Sequence, residues 1–281
     1  MEQITIENGV ENVQQLPAFD DDFGGVMVEL EEHMDSDVFR TLLKTSMSQW
    51  KLQGKKGVWI KLPIHLSNLV DTAVKEGFVY HHAEPDYLML LYWIPKTKNP
   101  IPANASHIAR VGAIVLNNKR EMLVVQEKLG PLRGVWKIST GIIHEGEDIS
   151  EGVVREVKEE TGIVTEFVQV LSFSEAHNVF FGKSELFFMC MMRPLSFDIQ
   201  IQETEIEAAK WMALEEYAAS SKEYTSCARE QGLRMHITEL IANAERGYSG
   251  FSPSKEYDNQ SCIYFNKSDL EKKKTINNLK D

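Results

Sequence analysis

Glu156, Glu159 and Glu160 stand at i, i+3 and i+4 within Gly141–Ile163, which reads GIIHEGEDISEGVVREVKEETGI. On a helix those spacings place all three carboxylates on one side. The arrangement breaks two local rules. Like charges four residues apart repel by a few tenths of a kcal/mol, and anions near a helix C-terminus meet the negative end of the macrodipole. Arg155 offsets part of this. A divalent cation would remove the conflict, and carboxylate oxygens suit Mg²⁺, which takes few protein ligands and completes its shell with water and phosphate. The competing reading is a solvated acidic face, and the pair Glu159-Glu160 alone would favour it. The helix itself is well signalled over Ile149–Thr161. Asp148 and Glu151 have the spacing of a capping box, and Gly162 can take the left-handed conformation that ends a helix.

The whole string is far more specific than the glutamates alone. Gly141, Glu147, Arg155, Glu156, Val157, Glu159, Glu160, Gly162 and Ile163 match the Nudix box at every defined position, so the chain resembles the Nudix hydrolases. GVWIKLP (57–63), HHAEPDYLML (81–90), IPANASH (101–107), LVVQE (123–127) and AKWM (209–212) resemble the plant cytosolic group, whose N-terminal extension an animal relative shares. That group is best known for hydrolysing ADP-ribose and NADH.

The resemblance implies an α+β fold: a Nudix α/β/α sandwich preceded by a small α/β, acetyltransferase-like domain. It implies hydrolysis of a diphosphate linkage with Mg²⁺ or Mn²⁺. Glu156 and Glu160 would be the principal metal ligands, Glu159 a further ligand or water-orienting group, and Gly141 would offer its backbone carbonyl. Arg155 would hold the glutamates and Glu147 would brace the loop. The general base would come from the box or from a later loop, where Glu203 and Glu205 precede the strand ending in Trp211; Glu205 is the candidate there, against a plain polar loop. Three positions depart from the group: Ser139 replaces a proline, Ser174 an arginine and Glu185 an aspartate. Ser139, Ser174 and His177 are the candidate substrate contacts. A terpenyl diphosphate is the alternative substrate, and a regulatory binding module without turnover is the alternative of another class. The complete set of box glutamates argues against the last. The N-terminal unit has no glycine-rich loop that would hold acetyl-CoA, so no transferase activity is expected.

The elements that must position these residues divide into two groups. Residues 1–22 are acidic and polar and are expected to be disordered. Residues 23–95 read as a βαβαββ unit, with a strand at Val26–Leu30, a helix begun by Asp35 or Ser36 carrying Phe39, Leu42, Leu43, Met47 and Trp50 at helical spacing, and a second helix carrying Leu66, Leu69, Val70 and Ala73. Pro95, Pro100 and Pro102 mark a linker over 96–107. The second unit, 108–246, opens with strands at Ile108–Leu116 and Met122–Glu127 around an Asn117-Asn118 turn, a hairpin signal. Further strands are expected at Trp136–Ile138, Val164–Phe173, Leu186–Met192 and Glu207–Met212, with helices at Leu214–Ala219 and Gly232–Glu245. Residues 247–281 read as a mobile, Lys-rich tail.

The chain as a whole bounds the partners. A net charge of −12 over 281 residues disfavours binding nucleic acid by bulk charge. A small phosphorylated substrate remains open if a cation neutralises it. No apolar run is long enough to span a membrane, and the start lacks a signal peptide. The expected setting is cytoplasmic, with Cys190, Cys227 and Cys262 as free thiols; a homodimer stays open. Val179-Phe180-Phe181 and Leu186–Met192 read as a strand buried on both faces, or alternatively as an adaptable apolar pocket wall. His81, His82 and His144 read as structural.

Overall fold

The computed structural model describes residues 14–219, 228–254 and 262–266. It divides at Asn104/Ala105 into two compact units.

The N-terminal unit is a five-stranded sheet of order β1-β2-β3-β5-β4, formed in that order by Ala18–Asp20, Val26–Glu29, Gly57–Pro63, Tyr87–Trp93 and Val79–Ala83. Helix α1 (Ser36–Leu52) starts where Asp35 accepts from the N–H groups of Asp37 and Val38, leaving two fewer amides without partners at the helix start. Its Phe39, Leu43, Met47 and Trp50 pack on Val28, Val58, Ile60 and Leu90. The expected second helix is divided into a 3₁₀ turn at Ile64–Leu69 and α2 at Val70–Lys75, with a kink at Leu66. The expected disorder over 1–22 does not hold at its described end. Leu16 is buried and donates its N–H to Ser46 Oγ at 2.9 Å, and β1 pairs antiparallel with β2. One apolar anchor and a free strand edge outweigh the polar composition there. His81 and His82 are tied into this unit through each other, the Pro102 carbonyl and the Tyr87 hydroxyl.

The C-terminal unit is a layered sandwich. Its main sheet has the order β13-β12-β9-β10-β6-β8, from Ile263–Asn266, Phe251–Ser254, Thr165–Phe180, Lys183–Pro194, His107–Val115 and Ser139–Ile142. A second sheet pairs β7 (Glu121–Glu127) with β11 (Ile206–Ala213). Helix α3 (Ile149–Thr161) packs Val153 and Val157 on Val111, Ala113, Val115, Cys190 and Met192. On the other side, Leu214 and Tyr217 of α4 (Leu214–Ala219) and Ile237, Leu240 and Ile241 of α5 (Ala228–Glu245) pack on Ile114, Met122 and Met189. Successive residues of β10 thus face opposite cores, Met189 towards one and Cys190 towards the other. Leu186–Met192 is therefore a central strand packed on both faces, whereas Val179-Phe180-Phe181, expected to be buried with it, is exposed at the end of the β9–β10 hairpin.

Three expectations are corrected. The Asn117 turn exists, with Asn117 Oδ1 accepting from the N–H of Lys119 and of Glu121, but β6 and β7 do not form a hairpin ladder. Only Leu116 and Met122 bridge them. Both edges of β6 are taken, by parallel β10 and antiparallel β8, so β7 pairs elsewhere. The strand expected at Trp136–Ile138 begins at Ser139, after Lys137 has bridged to Val125; the segment passes from one sheet to the other. The expected tail contributes β12 and β13, where Phe251 and Tyr264 pack into the core beside α3. The Lys-rich end and Cys227 lie outside the described residues. Among the described residues no helix is long and apolar enough to cross a membrane.

Candidate active site

Helix α3 spans the predicted residues and ends at Gly162, whose φ of 71° is left-handed. Its start differs from expectation: Asp148 has an extended backbone but makes no side-chain capping bond. The amides of Glu151 and Gly152 go to the Asp148 backbone carbonyl, and the Ser150 N–H donates to the Tyr264 hydroxyl at 3.3 Å. Part of the cap thus comes from β13, more than a hundred residues along the chain. Burial pushes the Tyr264 phenol up to about 12. Tyr264→Phe should lower stability by about 1 kcal/mol, the usual net value of one hydrogen bond, read as a drop in Tm. An unchanged Tm would remove Tyr264 from the cap.

Arg155 organises the glutamates. Its Nε and Nη2 grip Glu147 as a fork at 2.7 and 2.8 Å. Nη1 donates to Glu156 at 2.9 Å and to Glu159 at 3.0 Å, and Nη2 also reaches the Ile142 carbonyl at 2.9 Å. A guanidinium has five N–H donors, and these five contacts occupy them. Hydrogen bonding to Arg155, helped by the His144 N–H, outweighs burial and holds the Glu147 carboxyl down at about 2. The fork to Glu147, with further help from Glu156 and Glu159, raises Arg155 in turn.

Gly141, on β8, is pressed against the helix. A Cβ there would lie 1.8 Å from the Glu156 carboxyl carbon, so no larger residue fits while Glu156 keeps its place. Glu160 is the deepest of the helix glutamates, only 7% exposed. Burial pushes it up to about 7, and the repulsion of Glu156 and Glu127 adds to this against the nearby Ser139 hydroxyl and Lys137 ammonium. Its Oε2 has no hydrogen-bond partner. An orphaned buried carboxylate oxygen costs free energy unless something compensates it. All-oxygen donors, one of them orphaned and deprotonated only above ordinary carboxylate pH, are the donor chemistry of a hard divalent cation. Among the described residues no three acidic, His or Cys side chains converge on one point; Arg155 engages Glu156 and Glu159 instead.

Glu156, Glu159, Glu160, Arg155 and Gly141 line a cavity of about 480 Å³ together with Glu205, Glu127, Gln202, Arg110, Thr140 and His144, and with Phe180 at its apolar edge. Glu156, Glu159, Glu160, Arg155, Gly141 and Glu205 are thus brought together; Glu203 is not among the lining residues. The three expected substrate contacts are not lining residues either. Ser139 is buried, 1% exposed, next to Glu160; it contacts the glutamate cluster instead of the entrance. Ser174 lies exposed on β9, and His177 bonds Ser184 at 2.9 Å, outside the cavity. The β9–β10 hairpin extends past Phe173, where the apolar pattern stops, and it is Val179, Phe180 and Ser184 near its tip that reach the cavity; His177 stands one hydrogen bond behind Ser184. The reading missed Arg110 and Glu127. A lone charge inside the apolar run HIARVGAIV was the available signal for Arg110. His144, read as structural, lines the cavity.

Residues 106–235 match the NUDIX domain family, and residues 16–94 match the family described as Nudix hydrolase domain. "Nudix hydrolase 2" of Arabidopsis thaliana is 52% identical over 260 residues, covering 91% of this chain and 92% of that protein. "Nudix hydrolase 10" of the same plant is 49% identical over 277 residues, covering 95% and 96%. The human "Nucleoside diphosphate-linked moiety X motif 6" is 36% identical over 206 residues, covering 70% of this chain and 65% of that protein.

Proposed function

Because the chain belongs to the Nudix hydrolases, enzymes that act on diphosphate bonds, we propose that this cavity hydrolyses a nucleoside diphosphate derivative, ADP-ribose or NADH, with Mg²⁺ or Mn²⁺, in the cytoplasm. The observation that carries the reading is the partnerless Glu160 oxygen on a cavity wall shared with Glu156, Glu159 and Gly141. Glu156 and Glu160, aided by Glu159 and the Gly141 carbonyl, would hold the cation. A bound divalent cation neutralises the diphosphate and activates water at neutral pH. Glu205 reaches the same cavity from the loop before β11 and would take the proton of the attacking water. The water oxygen bonds to phosphorus, the bridging P–O bond breaks, and the leaving phosphate departs with that oxygen. Phe180, 56% exposed at the cavity edge, offers a ring face on which a base can stack.

An isoprenoid substrate would need an extended apolar wall. Strand β10 cannot supply it, since its Phe and Met side chains fill the two cores. The test is incubation of purified protein with Mg²⁺ and ADP-ribose or NADH, followed by product mass analysis. ADP-ribose should yield AMP and ribose 5-phosphate, and excess chelator should abolish turnover. Full activity in chelator would sink the metal mechanism. Release of phosphate from geranyl diphosphate alone would overturn the substrate, and no turnover of any diphosphate would favour a binding module.

A further inference from the structure

We infer that Arg110 is the clamp of this cavity for the substrate phosphate that the glutamate helix does not hold, with Glu185 and Thr140 as its positioning residues; the inference rests on the diphosphate reading above. Among the described residues, Arg110 and Arg155 are the arginines that line the cavity, and no lysine does. Their donor counts differ. Arg155 has all five N–H groups engaged by Glu147, Glu156, Glu159 and the Ile142 carbonyl. Arg110 donates from Nη1 to Glu185 at 3.0 Å and from Nη2 to Thr140 Oγ1 at 3.4 Å. Its remaining N–H groups, on a side chain 34% exposed, are available to the cavity.

A structural ion pair is the plain alternative. It explains poorly why a guanidinium interrupts the apolar strand β6 at the point where that strand borders a cavity rich in carboxylates. A buried ion pair is often no more stabilising than apolar residues of similar size. The pairing is also built for aim. Glu185, its side chain 5% exposed, sits in the same cavity wall and fixes one edge of the guanidinium. Thr140 Oγ1 accepts from Arg110 and from Lys137 Nζ, the latter at 2.8 Å, and Thr140 directly precedes Gly141. The ladder sets Arg110 opposite Ile142 and Val111 opposite Gly141. The clamp is thereby registered to the loop that Glu156 presses against. Arginine's planar fork suits two oxygens of one phosphate better than a point charge does.

The test compares Arg110→Gln, Arg110→Lys and Glu185→Gln with the parent protein. Steady-state kinetics with ADP-ribose and Mg²⁺ give KM and kcat. Calorimetry with methylenediphosphonate and Mg²⁺ gives Kd for an uncleavable diphosphate. Arg110→Gln should raise KM and Kd roughly tenfold to a hundredfold, the loss of charge-assisted hydrogen bonds, with a smaller change in kcat. Arg110→Lys should recover part of that, and Glu185→Gln should raise KM several-fold with the arginine still present. If Arg110→Gln does not fold, Arg110→Lys and Glu185→Gln decide by the same readouts. A lowered Tm with unchanged KM and Kd makes the pair structural and overturns the clamp. A parent protein that ignores ADP-ribose yet binds methylenediphosphonate in an Arg110-dependent way sinks the substrate reading and keeps the clamp.

Discussion

Glu160→Gln and Glu156→Gln should each lower kcat on a diphosphate substrate by a factor on the order of 10² or more while the protein stays folded. Each change keeps the shape of the side chain and removes one of the charges that would hold the cation. The Glu160 variant carries a second, independent signature. In the folded protein its carboxyl stands near 7 instead of 4.5, chiefly through burial. Between those values the native state binds more protons than the unfolded chain, so stability falls as pH rises through the window. Above it the penalty is complete, on the order of 3 kcal/mol. Metal-free Glu160→Gln should therefore melt above the parent protein at about pH 8, and the gap should close towards about pH 5. Mg²⁺ should raise the Tm of the parent by mass action and that of the variant far less. Near-normal turnover in both variants would move the active site elsewhere. A Tm gap independent of pH would mean that Glu160 is not the buried, proton-retaining group of the apo protein.

Gly141→Ala should leave the fold intact and cost activity by about the same order, 10²-fold. Gly141 is outside the left-handed region that glycine favours, so alanine is no strain for the backbone. What it meets is the Glu156 carboxyl, 1.8 Å from the added carbon. That group ends a flexible side chain and can swing away without disturbing the sheet. The variant should melt close to the parent yet turn over poorly, because one carboxylate has left its place. A large loss of Tm would show that Glu156 cannot yield and that the contact holds β8 to α3. Full activity would show that the position of Glu156 against β8 is not needed for catalysis.

The local part of the site was written in consecutive residues. Helix α3 has its predicted ends, its glutamates share a side, and Arg155 lies within one turn of Glu156 and Glu159, because helical spacing alone brings such groups together. Gly162 closes the helix for an equally local reason. Likewise, the apolar periodicity of α1 and its Asp35 cap specified that helix without reference to the rest of the chain.

What the sequence could not set was everything that depends on which strand lies beside which. The N-terminal unit is edged by β1 because Leu16 reaches Ser46, a contact 30 residues apart that no window reveals. The β6–β7 hairpin fails because β10 and β8 already occupy both edges of β6. Ser139 turns inward to Glu160, and the hairpin, longer than its apolar pattern, brings Val179, Phe180 and Ser184 to the cavity in place of Ser174 and His177. Arg110 reaches the cavity only because β6 runs parallel to β10, which sets it opposite Phe187 and two rungs from Glu185. The α3 start borrows a hydroxyl from Tyr264, in a segment whose composition reads as tail. Local hydrogen bonding and side-chain spacing belong to the sequence; burial, the proton affinity of Glu160 and the guanidinium that faces the glutamates arise only when distant strands take their neighbours.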